Sequence, residues 1–150
     1  MTPQKVMPFS LDAVRQICTI EPLKSVEACS ICSRIKPHVW RFVKGDIVEH
    51  VEHDDIPPET RKLRFFLDYG PNIGVGHIAQ CPECLRLCEC QHEYEYLIWG
   101  SETSTSFTRS TADRIVENQL WRYLDKPGEL QFDGEAWQIV VDGRRNHRAF

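Results

Sequence analysis

The sequence has no apolar run near the roughly 20 residues that a membrane helix needs, and its opening, MTPQKVMPFSLDAVRQ, lacks the apolar centre of a signal peptide. The expected setting is the cytosol. Catalytic motifs are also missing. The glycines of GPNIGVG at 70–76 do not fit the dinucleotide pattern G-x-G-x-x-G, and no G-x-S-x-G or phosphate-cradling loop occurs. There is no broad basic stripe: basic residues are scattered apart from RRNHR at 144–148, and the net charge is -4. A phosphate-tracking surface needs the opposite balance. Internal repeats, linkers and low-complexity stretches are absent as well.

The chain does have seven cysteines in 150 residues. A reducing cytosol disfavours structural disulfides, and an odd number cannot pair completely, so metal ligation accounts for them better. Two C-x-x-C pairs carry that reading, CSIC at Cys29 and Cys32 and CPEC at Cys81 and Cys84. A pair at this spacing can reach one ion from a tight turn, and two such turns complete a tetrahedral four-thiolate site. Cys88 and Cys90 follow closely and are alternate ligands. The run C-x2-C-x3-C of Cys81, Cys84 and Cys88, with one remote cysteine, leaves a [4Fe-4S] cluster open as the alternative to Zn2+. His77 and His92 are near enough in sequence to replace a cysteine. A closed four-thiolate site has no position for water or substrate, so its ion would be structural.

Composition is that of an ordinary globular chain, with 41% apolar and 27% charged residues. The expected architecture is one α+β domain over 1–150. It comprises a small antiparallel sheet or hairpins with about three helices, held together by the four-cysteine site. Ser10 caps a helix in LDAVRQICTI, with Leu11, Val14, Ile17 and Cys18 on one stripe. HVWRFVKGDIVEHVEH reads as a hairpin around Lys44-Gly45-Asp46, and LQFDGEAWQIVV as another around Asp133-Gly134. Pro57 and Pro58 suit the start of a helix through ETRKLRFFLDY. GSETSTSFTRST reads as a polar loop before a helix carrying Ala112, Ile115, Val116, Leu120 and Tyr123. IGVGHIAQ is too glycine-rich to read firmly as a strand, whereas HEYEYLIW is strand-like.

The two cysteine turns, each beside extended sequence, resemble the zinc ribbon over about residues 28–99. That family clamps one zinc between β-hairpins, and the resemblance implies a structural Zn2+ on Cys29, Cys32, Cys81 and Cys84. The 48 residues from 33 to 80 make a longer insertion than a ribbon usually has, and no glycine follows the second cysteine of either turn. His50-Val51-Glu52 followed by Cys81 and Cys84 resembles the zinc deaminase signature, in which the glutamate moves protons. Here Pro82 lies between the cysteines, and Ile56-Pro57-Pro58 would stop a helix that began at His50.

In size, acidity and lack of catalytic motifs the chain resembles the small immunity proteins that bacteria make against their own polymorphic toxins, including the Rhs type. That resemblance implies a non-enzymatic protein that covers a toxin's active site in a 1:1 complex. The acidic stretch EHVEHDD at 49–55 would suit a basic cleft, which makes Glu49, Glu52, Asp54 and Asp55 the expected partner-binding residues. A nucleic-acid-binding zinc ribbon is the alternative, with Trp40, Tyr94, Tyr96 and Trp99 available to stack on bases. A deaminase-like hydrolase is third, and no membrane association is expected.

Overall fold

The computed structural model describes residues 5–45, 50–53, 56–68, 76–97, 100–117 and 128–141. Within them the chain is mostly β. Nine strands form one mixed sheet: β1 Lys5–Pro8, β2 His38–Gly45, β3 His50–His53, β4 Arg64–Asp68, β5 Gly76–Gln80, β6 Leu87–Leu97, β7 Gly100–Ser110, β8 Gly128–Phe132 and β9 Trp137–Val141. Two helices accompany them, α1 Leu11–Cys18 and a shorter α2, Ala112–Ile115. The strand order is β1-β8-β9-β4-β5-β6-β7-β2-β3. Every neighbouring pair is antiparallel except β4 with β9, which run parallel. No helix among the described residues is long and apolar enough to cross a membrane.

Local chemistry explains the elements read correctly from sequence. Ser10 takes an extended backbone and accepts a hydrogen bond from Ala13 N at 3.0 Å, so α1 begins one residue later. Val14 and Cys18 are buried on its inner stripe. In the β8–β9 hairpin Gly134 has φ 103°, open to a residue without a Cβ, and Asp133 Oδ1 accepts from Glu135 N and Ala136 N at 2.9 and 3.0 Å. β2 and β3 pair as the first hairpin, Val43 opposite Val51.

Three expectations fail for physical reasons. ETRKLRFFLDY is not a helix: a 3₁₀ turn over Pro58–Lys62 ends at Leu63, which is extended, and the chain continues as β4. Two residues apart on the strand, Phe65 is 55% exposed and Leu67 fully buried, because the bulge between them breaks the period-two pattern that would put both on one face. GSETSTSFTRS is a strand and not a loop. β7 lies between β6 and β2, both of which pair along its length, so a polar run supplies the ladder of the sheet interior. The described part of the glycine-rich segment, residues 76–80, becomes β5 once β4 and β6 pair with it on either side. The helix after β7 begins at Ala112 as expected, but Leu120 and Tyr123 lie outside the described residues. The structure is therefore richer in strand than the small sheet and three helices expected.

The sheet separates two apolar layers. On one face α1 and α2 cover Leu67, Ile78, Leu87, Leu130 and Ile139, with Val14, Cys18 and Ile115 packed onto them. Burial pushes the Cys18 thiol up to about 12, as suits a small core residue. The opposite face carries two smaller clusters. One holds the two cysteine pairs with Ile31, Ile35 and Val39, and the other holds Ala79, Cys88 and Cys90.

Candidate metal centre

The two cysteine pairs meet through different local structures. Cys81 and Cys84 occupy the turn between β5 and β6, where Leu85 N donates to Cys81 O and Cys81 N to Arg86 O, both at 2.9 Å. Leu85 has φ 72°, the left-handed conformation that a glycine would take without steric cost. The turn forms without that glycine because the flanking β5–β6 pairing holds it. The first pair lies in the irregular segment between α1 and β2. Ser33 N donates to Cys29 O at 3.0 Å and Ile35 N to Cys32 O at 3.1 Å, wrapping the chain around Cys29 and Cys32. Only the second turn therefore tips a hairpin.

The four sulfurs lie within 4.8 Å of one another. Cys29 Sγ is 3.6 Å from Cys81 Sγ, and Cys32 Sγ is 3.5 Å from Cys84 Sγ. All four residues are buried, Cys29, Cys81 and Cys84 completely. The result is a buried four-cysteine group that could hold a metal ion, consistent with a zinc-ribbon-like site. Its protonation is uneven. Burial pushes the Cys32 and Cys81 thiols up. Burial would do the same to Cys84, but hydrogen bonds from Arg86 and from the neighbouring thiols outweigh it and bring Cys84 down to about 7. Cys84 thus presents a thiolate to an incoming ion more readily than Cys32 or Cys81.

Residues with no signal in the sequence join the two turns. Glu83, inside the second pair, accepts from Ser30 N at 2.9 Å and from Ser30 Oγ at 2.5 Å, with Ser30 inside the first pair. Lys24 Nζ lies 3.3 Å from the same carboxylate. The Ser30 hydroxyl and N–H hold the Glu83 carboxyl down at about 2. On the other side, Arg109 of β7 donates to Ile35 O at 2.8 Å and to Cys32 O at 3.3 Å, tying the first turn to the sheet. Arg86 Nη1 reaches Lys24 O at 2.8 Å. Such contacts orient ligands, and losing one weakens metal affinity by about 10- to 100-fold. Glu83→Ala should lower metal affinity by roughly tenfold, as chelator competition would read. Because the folded carboxyl sits below its unfolded value, its contribution is present above the ordinary carboxylate range and is lost as pH falls towards 2.

The other expected residues lie elsewhere. Cys88 and Cys90 stand on β6 in their own buried cluster, apart from the four sulfurs. His77 is half-buried and stacked on Phe65 with ring centroids 4.1 Å apart, and His92 is exposed with Nδ1 2.9 Å from Thr105 Oγ1. His50 and Glu52 belong to β3, a strand at one end of the sheet. Glu49, Asp54 and Asp55 lie outside the described residues, as does Trp99. Trp40 is half-buried and donates from Nε1 to Ser104 Oγ at 3.0 Å, whereas Tyr94 is 60% exposed. Compared with protein-family models, curated proteins and solved structures, the chain matches none, and no family is assigned to it.

Proposed function

We propose that the protein is a non-catalytic binding module held together by one structural Zn2+ on Cys29, Cys32, Cys81 and Cys84, and that it acts as an immunity-type inhibitor of a toxin domain. The burial of all four sulfurs carries the first half of this reading. Four thiolates fill a tetrahedral zinc and leave it no open position for chemistry. Zn–S bonds near 2.3 Å place ligand sulfurs about 3.8 Å apart in a tetrahedron, close to the 3.5 and 3.6 Å separations across the two turns. The thiolates of a four-iron cluster bind at its outer corners and stand much farther apart, so the spacing favours a single ion.

Charge supports the inhibitor half of the proposal. The net charge is -4, and Glu52, within the acidic stretch at 49–55, lies on terminal strand β3, where a partner can approach. A toxin domain with a basic cleft is the complementary partner, in a 1:1 complex. Reversing Glu49, Glu52, Asp54 and Asp55 to lysine should slow association with such a domain at least tenfold and flatten its salt dependence. Stopped-flow association at two ionic strengths reads both effects, and unchanged rates would move the interface away from β3.

A nucleic-acid-binding ribbon is the second reading, favoured by the exposed Tyr94 and opposed by the net negative charge. The deaminase reading is weaker. His50-Val51-Glu52 is strand, where that chemistry uses a helix, and Cys81 and Cys84 already lie against Cys29 and Cys32.

A further inference from the structure

A cavity of about 550 Å³ opens between the end of α1, the start of α2 and the β5–β6 turn that carries Cys81 and Cys84. Its volume lies in the range of about 300–1,000 Å³ over which proteins enclose small molecules. Cys18, Ile20, Leu85 and Leu87 give it an apolar floor, and Cys18 and Leu87 belong to the core of the helix-covered face. Burial keeps the Cys18 thiol protonated, so this floor is uncharged. Leu85 stands here at φ 72°, a conformation whose steric cost a glycine would avoid. The sequence keeps a side chain at that strained position, and the cavity is what it lines.

Charge at the rim is unevenly matched. Arg15 is neutralised, with Nε 2.8 Å from Asp113 and Nη1 3.2 Å from Asp12. Arg86 has no such partner. Its Nη1 donates to Lys24 O at 2.8 Å and its side chain reaches the Cys84 thiol, but among the described residues no carboxylate pairs with it. A half-buried guanidinium without a carboxylate gains from an oxyanion, which its planar fork can hold by two parallel N–H bonds.

We propose that this cavity binds a small amphiphilic carboxylate, its apolar body on the floor of Cys18, Leu85 and Leu87 and its head on Arg86. The floor supplies affinity for the body through burial, and Arg86 selects the charged head over a neutral one. None of the four cysteines of the metal centre lines the cavity, although Arg86 touches both the cavity and Cys84. The site is thus distinct from the metal centre and from the β3 surface, and it does not depend on the inhibitor reading.

Isothermal titration calorimetry on the reduced full chain tests this with octanoate and octan-1-ol, which share an apolar body and differ in the head group. The expected result is 1:1 binding of octanoate, with octan-1-ol weaker by roughly tenfold or more, the difference that a hydrogen-bonded charge supplies. Arg86→Gln should bring octanoate down to the affinity of octan-1-ol while octan-1-ol binds as it does to wild type. Loss of the fold would remove both ligands, so that pattern isolates the charge. Thr19→Trp, at the exposed rim, should block both ligands in a chain that melts like wild type. Equal affinity of wild type for the two ligands, no saturable octanoate binding, or an Arg86→Gln chain that still prefers octanoate overturns the proposal.

Discussion

Cys84→Ser protein, and equally Cys29→Ser, is expected to purify without the ion of the four-cysteine group and to melt far below wild type. The effect is large because metal-binding free energy is also folding free energy, about 10–16 kcal/mol in small structural zinc domains at neutral pH. Here the ion would join a segment between α1 and β2 to a turn about fifty residues later, at the β5–β6 hairpin. Without it, Cys29, Cys32, Cys81 and Cys84 remain as a small apolar cluster with Ile31, Ile35 and Val39. Glu83, Ser30 and Arg109 still hold the two turns loosely, so the sheet survives in part. A broad, low-temperature transition is therefore expected in place of one sharp transition. Calorimetry with elemental analysis checks this, and a variant with wild-type metal content and melting would defeat the ligand assignment.

Ile78→Ala should give the opposite combination, severe destabilisation with the ion retained. Ile78 is fully buried on the helix-covered face, in one cluster with Leu67, Leu130 and Ile115. Truncating it removes apolar contacts and leaves a cavity, at a cost of about 2–5 kcal/mol. Its neighbour Ala79 points to the other face, the side of the cysteine clusters. The loss thus falls on one layer of a two-faced sheet. Urea unfolding of the metal-loaded protein should show a lower midpoint, with metal content unchanged by mass spectrometry. Loss of the ion together with stability would mean that the two layers unfold as one unit.

Much of the site was legible in the sequence because C-x-x-C spacing is a local property: the turn that gathers each pair is written within a few residues. Bringing the pairs together is a property of the whole sheet, yet an odd number of cysteines, which cannot all pair as disulfides, already pointed there. The residues around the sulfurs were not legible. Glu83 and Ser30 are ordinary polar residues until the turns meet, and Arg109 reaches Ile35 only because β7 pairs with β2. Leu85 in a left-handed turn runs against local preference altogether.

The fold was legible where short-range signals governed it: the Ser10 cap, the Asp133-Gly134 turn and the β-branched and aromatic stretches of β2 and β9. It was misread where pairing overrode composition. The serines and threonines of β7 have no apolar period to announce a strand, but strands on both sides satisfy the whole ladder. The pair of prolines before β4 does begin a helical turn, which ends after five residues because Leu63 must extend towards the sheet.

X-ray absorption at the zinc edge, on protein loaded to one ion per chain, tests the structural-metal account most directly. The account predicts a first shell of four sulfurs near 2.3 Å, unchanged by His77→Asn/His92→Asn. A first shell containing nitrogen or oxygen, or failure to bind zinc beside tight binding of an iron–sulfur cluster, would contradict it.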